Sequence, residues 1–472
     1  MGVKVSRLAI LAATAAMSAA AAPSPKYVFL FIGDGMSTPQ RMVAEQFSER
    51  TGRGELAMNT LPYQANTRTR SANSIITDSA AAATAIACGE KANNCALGVA
   101  PDGRRLVSVA EVAKRRGMKV GIATTVTIVH ATPAGFYAHL PGRGAFYSIA
   151  LALAESGFDF FCGGGFGGKA CDMGDPNFRG DAYDIVRKAG YEVTIDDLAA
   201  WRALKPGCRS LGVFGEKGME FAIDADGSQP APAEIVAKGI ELLDGPAGFF
   251  FMFEGGKVDY SGHANDAATN LHDILAMDDA VKVALRFQDA HPGETLVVVT
   301  GDHETGGMSM GFAGIGGKFK VELLARQKIS TAAFSSIAKN MIKERGSKTT
   351  LEDFMPLLSE KFGIVFDGPA DDPMHATAAE VKALRKALAK DVDLMASHVA
   401  DTTAHDVARR YVFAHAAKNV VNAHAGVGWS SGAHTALPTL TTAKGVGAEV
   451  LVGMRENTDI GVRLKGLLAA GN

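Results

Sequence analysis

Six short runs of consecutive apolar residues punctuate the first two thirds of the chain, at 27–32, 119–123, 158–161, 211–214, 249–253 and 295–300. Runs of this length without alternation are the pattern of strands covered on both faces, as in a parallel sheet. Between them lie stretches with apolar residues at helical spacing, at 106–116, 145–155, 182–189, 234–243 and 267–290. Strands and helices in alternation predict an α/β fold, a doubly wound, mostly parallel sheet flanked by helices. From 316 to 421 the strand-like runs nearly vanish, and helical patterns of mixed charge such as 378–388 and 404–417 take over. This region reads as a helical insertion in an α/β domain made of 23–315 and 422–472. A strand at 449–454 and a helix at 459–469 are expected to close the chain.

Composition narrows the picture. A chain of 472 residues, 47% hydrophobic, is long enough for one large α/β domain carrying an insertion. The formal net charge of −2 shows no basic excess, so no nucleic acid partner is expected. Lys4 and Arg7 precede an apolar stretch at 8–17 and small residues at 18–22. That is the layout of an export signal over 1–22, which predicts a periplasmic or secreted protein. The apolar stretch is short for a membrane span, and no later segment is long and apolar enough, so no span is expected in the mature chain. In an oxidising compartment, Cys88 with Cys95 and Cys162 with Cys171 would each close a short loop and leave Cys208 free; the equal alternative is five buried thiols.

Ligands of open α/β sheets bind beyond the carboxyl ends of the strands, and the candidate chemistry falls there. The first apolar run leads into Gly33-Asp34-Gly35. The run at 249–253 ends in Glu254, with Asp259 and His263 four residues apart. In a helical turn these two share a face and suit one metal. The run at 295–300 leads into Asp302-His303 and a glycine-rich loop. His434, bland in itself, gains weight because a catalytic zinc takes three protein ligands. Ser79 follows Asp78 and opens an alanine-rich helix. Taken alone it reads as a helix cap; the sharper reading is a nucleophile whose pKa a helix N-terminus and a metal lower. Thr132 lies two residues after His130, and Arg143 thirteen after it. A hydroxyl at Thr132 suits a hard cation and the planar fork of Arg143 suits a phosphate, although alone they would be a proline-containing turn and a surface arginine.

Together, Asp78-Ser79-Ala80 before an alanine run, Glu254-x4-Asp259-x3-His263, Asp302-His303 after a strand and the late His434 resemble the alkaline phosphatase family, in the family's order and over about 27–472. The resemblance implies a metal-dependent phosphomonoesterase of broad specificity with two Zn2+ and one Mg2+, acting through a phosphoserine on Ser79, and a homodimer. Asp259, His263 and His434 correspond to ligands of the first zinc. Asp34, Asp302 and His303 correspond to ligands of the second, which Ser79 also contacts. Asp34, Thr132 and Glu254 correspond to the magnesium ligands, and Arg143 to the phosphate-binding arginine. His130 stands where many bacterial members have Asp, and Tyr260 where Lys or His is frequent; both are expected near the magnesium and the bound phosphate. The rival readings are a phosphodiesterase or sulfatase on the same fold, or a periplasmic phosphate- or metal-binding protein without turnover. The Cys/Ser-x-Pro-x-Arg setting of sulfatases is absent around Ser79, and no nucleophile or ligand is missing.

Overall fold

The computed structural model describes residues 24–315, 317–369, 371–397 and 411–470. The expected export signal at 1–22 and the first half of the predicted helix at 404–417 lie outside them. Ten strands form one sheet in the order Gly453–Glu456, Tyr63–Arg68, Thr439–Gly445, Thr295–Gly301, Tyr27–Gly33, Phe249–Gly255, Lys119–Thr127, Phe160–Gly164, Arg209–Val213 and Tyr191–Ile195. Thr439–Gly445 runs antiparallel to both neighbours, and every other pairing is parallel. The fold is therefore the expected mostly parallel sheet.

Alternate residues of the central strands separate two apolar layers. Phe29, Phe31, Phe251, Phe253, Val297 and Val299 face one side, beneath the helices Thr38–Arg50, Pro232–Leu243 and Ala267–Ala290. Val28, Leu30, Phe250, Met252, Leu296 and Val298 face the other, beneath Ser79–Cys88, Val109–Arg115, Phe146–Ser156 and Asn457–Ala469. The predicted insertion carries the helices Thr331–Arg345, Met355–Phe362 and Ala378–Ala396 and most of Phe413–Ala425, which crosses the expected boundary at 421. Its Phe334, Phe354, Phe362 and Phe413 belong to the first apolar layer.

Some expectations are corrected. At 449–454 there is a 3-10 turn, Ala448–Val450, and the strand is displaced to Gly453–Glu456. Gly447 and Gly453 both take left-handed φ, at 76° and 86°, and so break an extended run. All five cysteines are free, and they are not all buried: Cys88 and Cys162 are, Cys95 and Cys171 are exposed, and Cys208 lies between. Each expected disulfide would have joined a thiol inside an apolar layer to one on an outer loop. Among the described residues, no helix is long and apolar enough to cross a membrane.

Candidate active site

The sheet register builds the site. Gly33 is opposite Gly255 on one side and Gly301 on the other, and Ile32 is opposite Glu254. Asp34 and Asp302 thus leave neighbouring strands at the same level, with Glu254 one strand away, and all three are fully buried. Gly35 makes this crowding possible. Its φ is +70°, and a Cβ there would lie 2.7 Å from Thr305 Oγ1 and 3.0 Å from Asp259. Its N–H donates to Asp302 Oδ1 at 3.0 Å.

Ser79 is the first residue of its helix, but it is not the cap. Asp78 caps, its carboxylate accepting from the Ala81 N–H at 3.0 Å. The Ser79 hydroxyl is thereby left free at a helix N-terminus, where the dipole favours negative charge. It is buried and lies 3.2 Å from His303 Nε2. His303 Nε2 in turn lies 3.2 Å from Asp34 Oδ1 and 3.3 Å from Asp302 Oδ2.

Three imidazoles follow one rule: each commits Nδ1 to a structural partner and turns Nε2 inward. His434 Nδ1–H donates to the Thr77 carbonyl at 3.0 Å, and His263 Nδ1–H to the Gly432 carbonyl at 2.8 Å. His303 Nδ1 lies 3.3 Å from the Thr305 hydroxyl, which itself donates to Asp259. The Nε2 atoms of His263 and His434 then face each other at 3.2 Å, with Asp259 carboxylate oxygens 3.4 and 3.5 Å away. Two imidazole lone pairs at that distance repel unless a proton or a cation lies between them. Anchoring of the outer nitrogen is how metal-binding histidines are oriented.

Three trios can each converge on a cation: Asp259 with His303 and His434; Asp34 with Asp302 and His303; Asp34 with His130 and Glu254. A cation fits them chemically, because Asp34 Oδ1 and Asp302 Oδ2 are buried without a hydrogen-bond partner. Such oxygens are costly unless something positive reaches them. Burial pushes Asp34 well above the carboxylate range, and Asp302, Asp259 and Glu254 push it the same way. Asp302 is raised to about 7, first by burial. Burial opposes charge on His434, but the adjacent Asp259 wins and lifts it to about 9. Burial and the charge of His434 hold His303 well below its ordinary value.

At the third trio, His130 Nδ1 is 3.1 Å from Glu254 Oε1 and 3.7 Å from Asp34 Oδ2. The Thr132 hydroxyl donates to Asp34 Oδ2 at 3.4 Å, and Thr124 donates to Glu254. Arg143 reaches over this group. Its Nη1 donates to Asp78 at 3.1 Å and its Nη2 to His130 Nε2 at 3.0 Å. His130, expected near the magnesium and the phosphate, sits between the carboxylates of Asp34 and Glu254 and the Arg143 guanidinium. The Tyr260 ring meets His130 edge-on, with centroids 6.0 Å apart.

The family model for alkaline phosphatase matches residues 25–159 and 186–470. The chain belongs to the alkaline phosphatase family. The repressible alkaline phosphatase of Saccharomyces cerevisiae is 32% identical over 322 residues, 60% of this chain but only 55% of the yeast protein. Alkaline phosphatase 3 of Bacillus subtilis is 29% identical over 92% of this chain and 87% of its own length. The crystal structure of a cold-active alkaline phosphatase from a psychrophilic Shewanella superposes with a TM-score of 0.78 at 26% identity, over 94% of this chain and 99% of that one.

Several residues that hold this site together escape a reading of the sequence. Glu304 is buried and accepts from Gln40, Thr435 and the Gly307 and Met308 N–H groups. It ties the loop after His303 to the strand His434–Thr435, which pairs with Glu304–Thr305. Adjacency to His303 was its one signal. Thr305, Thr124 and Gln40 had none, because short polar residues in loops are common. Asp78 had a signal, since three polar residues, Thr77, Asp78 and Ser79, precede the alanine run and only one can cap it.

Proposed function

We propose that the chain hydrolyses phosphate monoesters, with Ser79 as nucleophile and a phosphoserine intermediate, at a site holding two zinc ions and a third cation. The observation that carries this reading is the buried meeting of Ser79 Oγ, His303 Nε2 and the partnerless oxygens of Asp34 and Asp302. Asp259, His263 and His434 would hold one zinc; Asp34, Asp302 and His303, with Ser79, would hold the other. Asp34, Thr132 and Glu254 would hold magnesium. With His130 Nδ1 beside them, zinc competes there, because imidazole suits zinc and oxygen donors suit magnesium. Paired divalent ions supply charge neutralisation for the ester dianion and for both the attacking and the leaving oxygen.

The chain's own part is positional. The Asp78 cap aims the Ser79 hydroxyl from a helix N-terminus at the donor cluster. Arg143 offers a planar fork for two phosphate oxygens, exchanging one of its present partners for the substrate. Tyr260 closes the wall beside His130. Broad specificity, export and homodimer assembly belong to the same proposal, as does the division into an α/β domain with a helical insertion.

The rival phosphodiesterase reading lacks a use for Arg143 and for the third cluster, and a binding protein lacks a use for Ser79. The test compares nitrophenyl phosphate with bis-nitrophenyl phosphate, in the wild type and in Ser79→Ala. A preference for the monoester is expected, with Ser79→Ala losing at least about three orders of magnitude in kcat while keeping its zinc. Wild-type turnover in that variant, or preference for the diester, would reject the proposal.

A further inference from the structure

The group that orients His263 is a backbone carbonyl with no part in the ligand pattern, and it leads away from the site. His263, proposed as a zinc ligand beside Asp259 and His434, is exposed, and the outer nitrogen of its ring is steadied by a hydrogen bond to the Gly432 carbonyl at 2.8 Å. Gly432 lies in an exposed loop, 430–433, that also carries the chain into His434. That loop is pinned from two sides. Gly306 accepts from the Ser430 and Ser431 N–H groups at 3.2 and 3.0 Å. From the other side the Asn265 amide donates to the Ser431 carbonyl at 2.8 Å.

Asn265 itself takes a left-handed conformation, with φ +52°, two residues after His263. Its carbonyl is gripped from the helical region. The Lys418 ammonium donates to it at 2.9 Å and the Asn422 amide at 2.7 Å, both from the helix Phe413–Ala425. Both of those side chains are buried. Burial pushes Lys418 down to about 8, so the contact is made at a real desolvation cost. Next in sequence, Asp266 accepts from Gln327 at 2.8 Å and from the Thr331 N–H and hydroxyl at 2.9 and 2.6 Å. The helical region is thus fastened to Asn265, which joins the His263 turn to the loop before His434, and to its neighbour Asp266.

We infer that Asn265 is a positioning residue through which the helical region sets the geometry, and hence the metal affinity, of the Asp259–His263–His434 site. This rests on the metal reading of that site. Partners that orient ligating histidines typically account for about 10–100-fold in metal affinity. Asn265 does so at one remove, by holding the loop whose carbonyl holds the ring.

Asn265→Gly is the informative change. Glycine accepts the positive φ and keeps the carbonyl for Lys418 and Asn422, so only the amide's bonds are lost, the short one to the Ser431 carbonyl and a long one, 3.4 Å, to the Gly262 carbonyl. Zinc affinity would be measured by chelator competition on the full-length wild type, Asn265→Gly and Asn422→Ala. Asn265→Gly is expected to bind one of its zinc ions about tenfold more weakly than wild type, the other unchanged, and to recover kcat at saturating zinc. Asn422→Ala is expected to shift the same step in the same direction. Equal affinity in Asn265→Gly, or an equal loss at both zinc sites with a fall in Tm, would overturn the inference and leave the metal reading standing. A wild type that takes up no zinc would overturn both.

Discussion

At the scale of single residues, the site is a problem of charge and is solved by second partners. Asp34, Asp302, Glu254 and Asp259 lie within one buried volume, and the nitrogens that face them are neutral or proton-bearing imidazoles. A cation must displace protons to enter. Asp302 at about 7 and His434 at about 9 both need to be deprotonated as ligands. Metal affinity should therefore climb with pH up to about 9, and calorimetry in buffers of different ionisation enthalpy should find more protons released per zinc at pH 6.5 than at pH 9.5. Uptake that ignores pH would contradict this. Thr305 is the other sensitive point, since one hydroxyl serves Asp259 and His303 together. Thr305→Val keeps the shape and removes both bonds, and it should weaken zinc binding by about 10–100-fold with little change in Tm. The donors that meet at this site were legible in the sequence because histidines and carboxylates just after apolar runs are few. Thr305 and Asn265 were not, because what they do depends on contacts across the fold.

At the scale of elements, strands fully covered by helices could be read, and strands half-exposed or polar could not. Phe249–Gly255 and Thr295–Gly301 are buried throughout. Tyr63–Arg68 alternates between buried and exposed positions, and Thr439–Gly445 is rich in threonine. Its Thr441 hydroxyl joins Thr67 at 2.8 Å and Thr300 at 2.7 Å, so these polar side chains are satisfied inside the sheet by one another. No run of apolar residues marks such a strand. The helix that Ser79 opens raises a different constraint. Ser79–Cys88 is buried along its whole length and rests on Asn457–Ala469 at Gly461. A Cβ on Gly461 would come within 2.5 Å of the Gly89 nitrogen, which cannot move without moving the helix. Gly461→Ala should cost about 1–3 kcal/mol of stability. It should also lower kcat with zinc content unchanged, because a small displacement of an aligned nucleophile is expensive. Thermal melts with metal analysis would check it, and unchanged kcat would show that the helix position is not critical.

At the scale of the whole molecule, the helical region is part of the fold rather than an appendage. Its aromatic residues share a layer with the sheet, and its polar anchors end beside His263. The alternation of elements announced the sheet, and the loss of strand-like runs announced the helical region, but only packing shows that they share a core. The central claim is that this architecture brings the Ser79 hydroxyl to a cluster of cations as a nucleophile. Its most direct test is to quench the metal-loaded protein in acid during turnover of a phosphate monoester and map phosphate by peptide mass spectrometry. Phosphate on Ser79 in the wild type, and none in the metal-free protein, is the expected result. A fully active protein that never carries phosphate on Ser79 would contradict the claim.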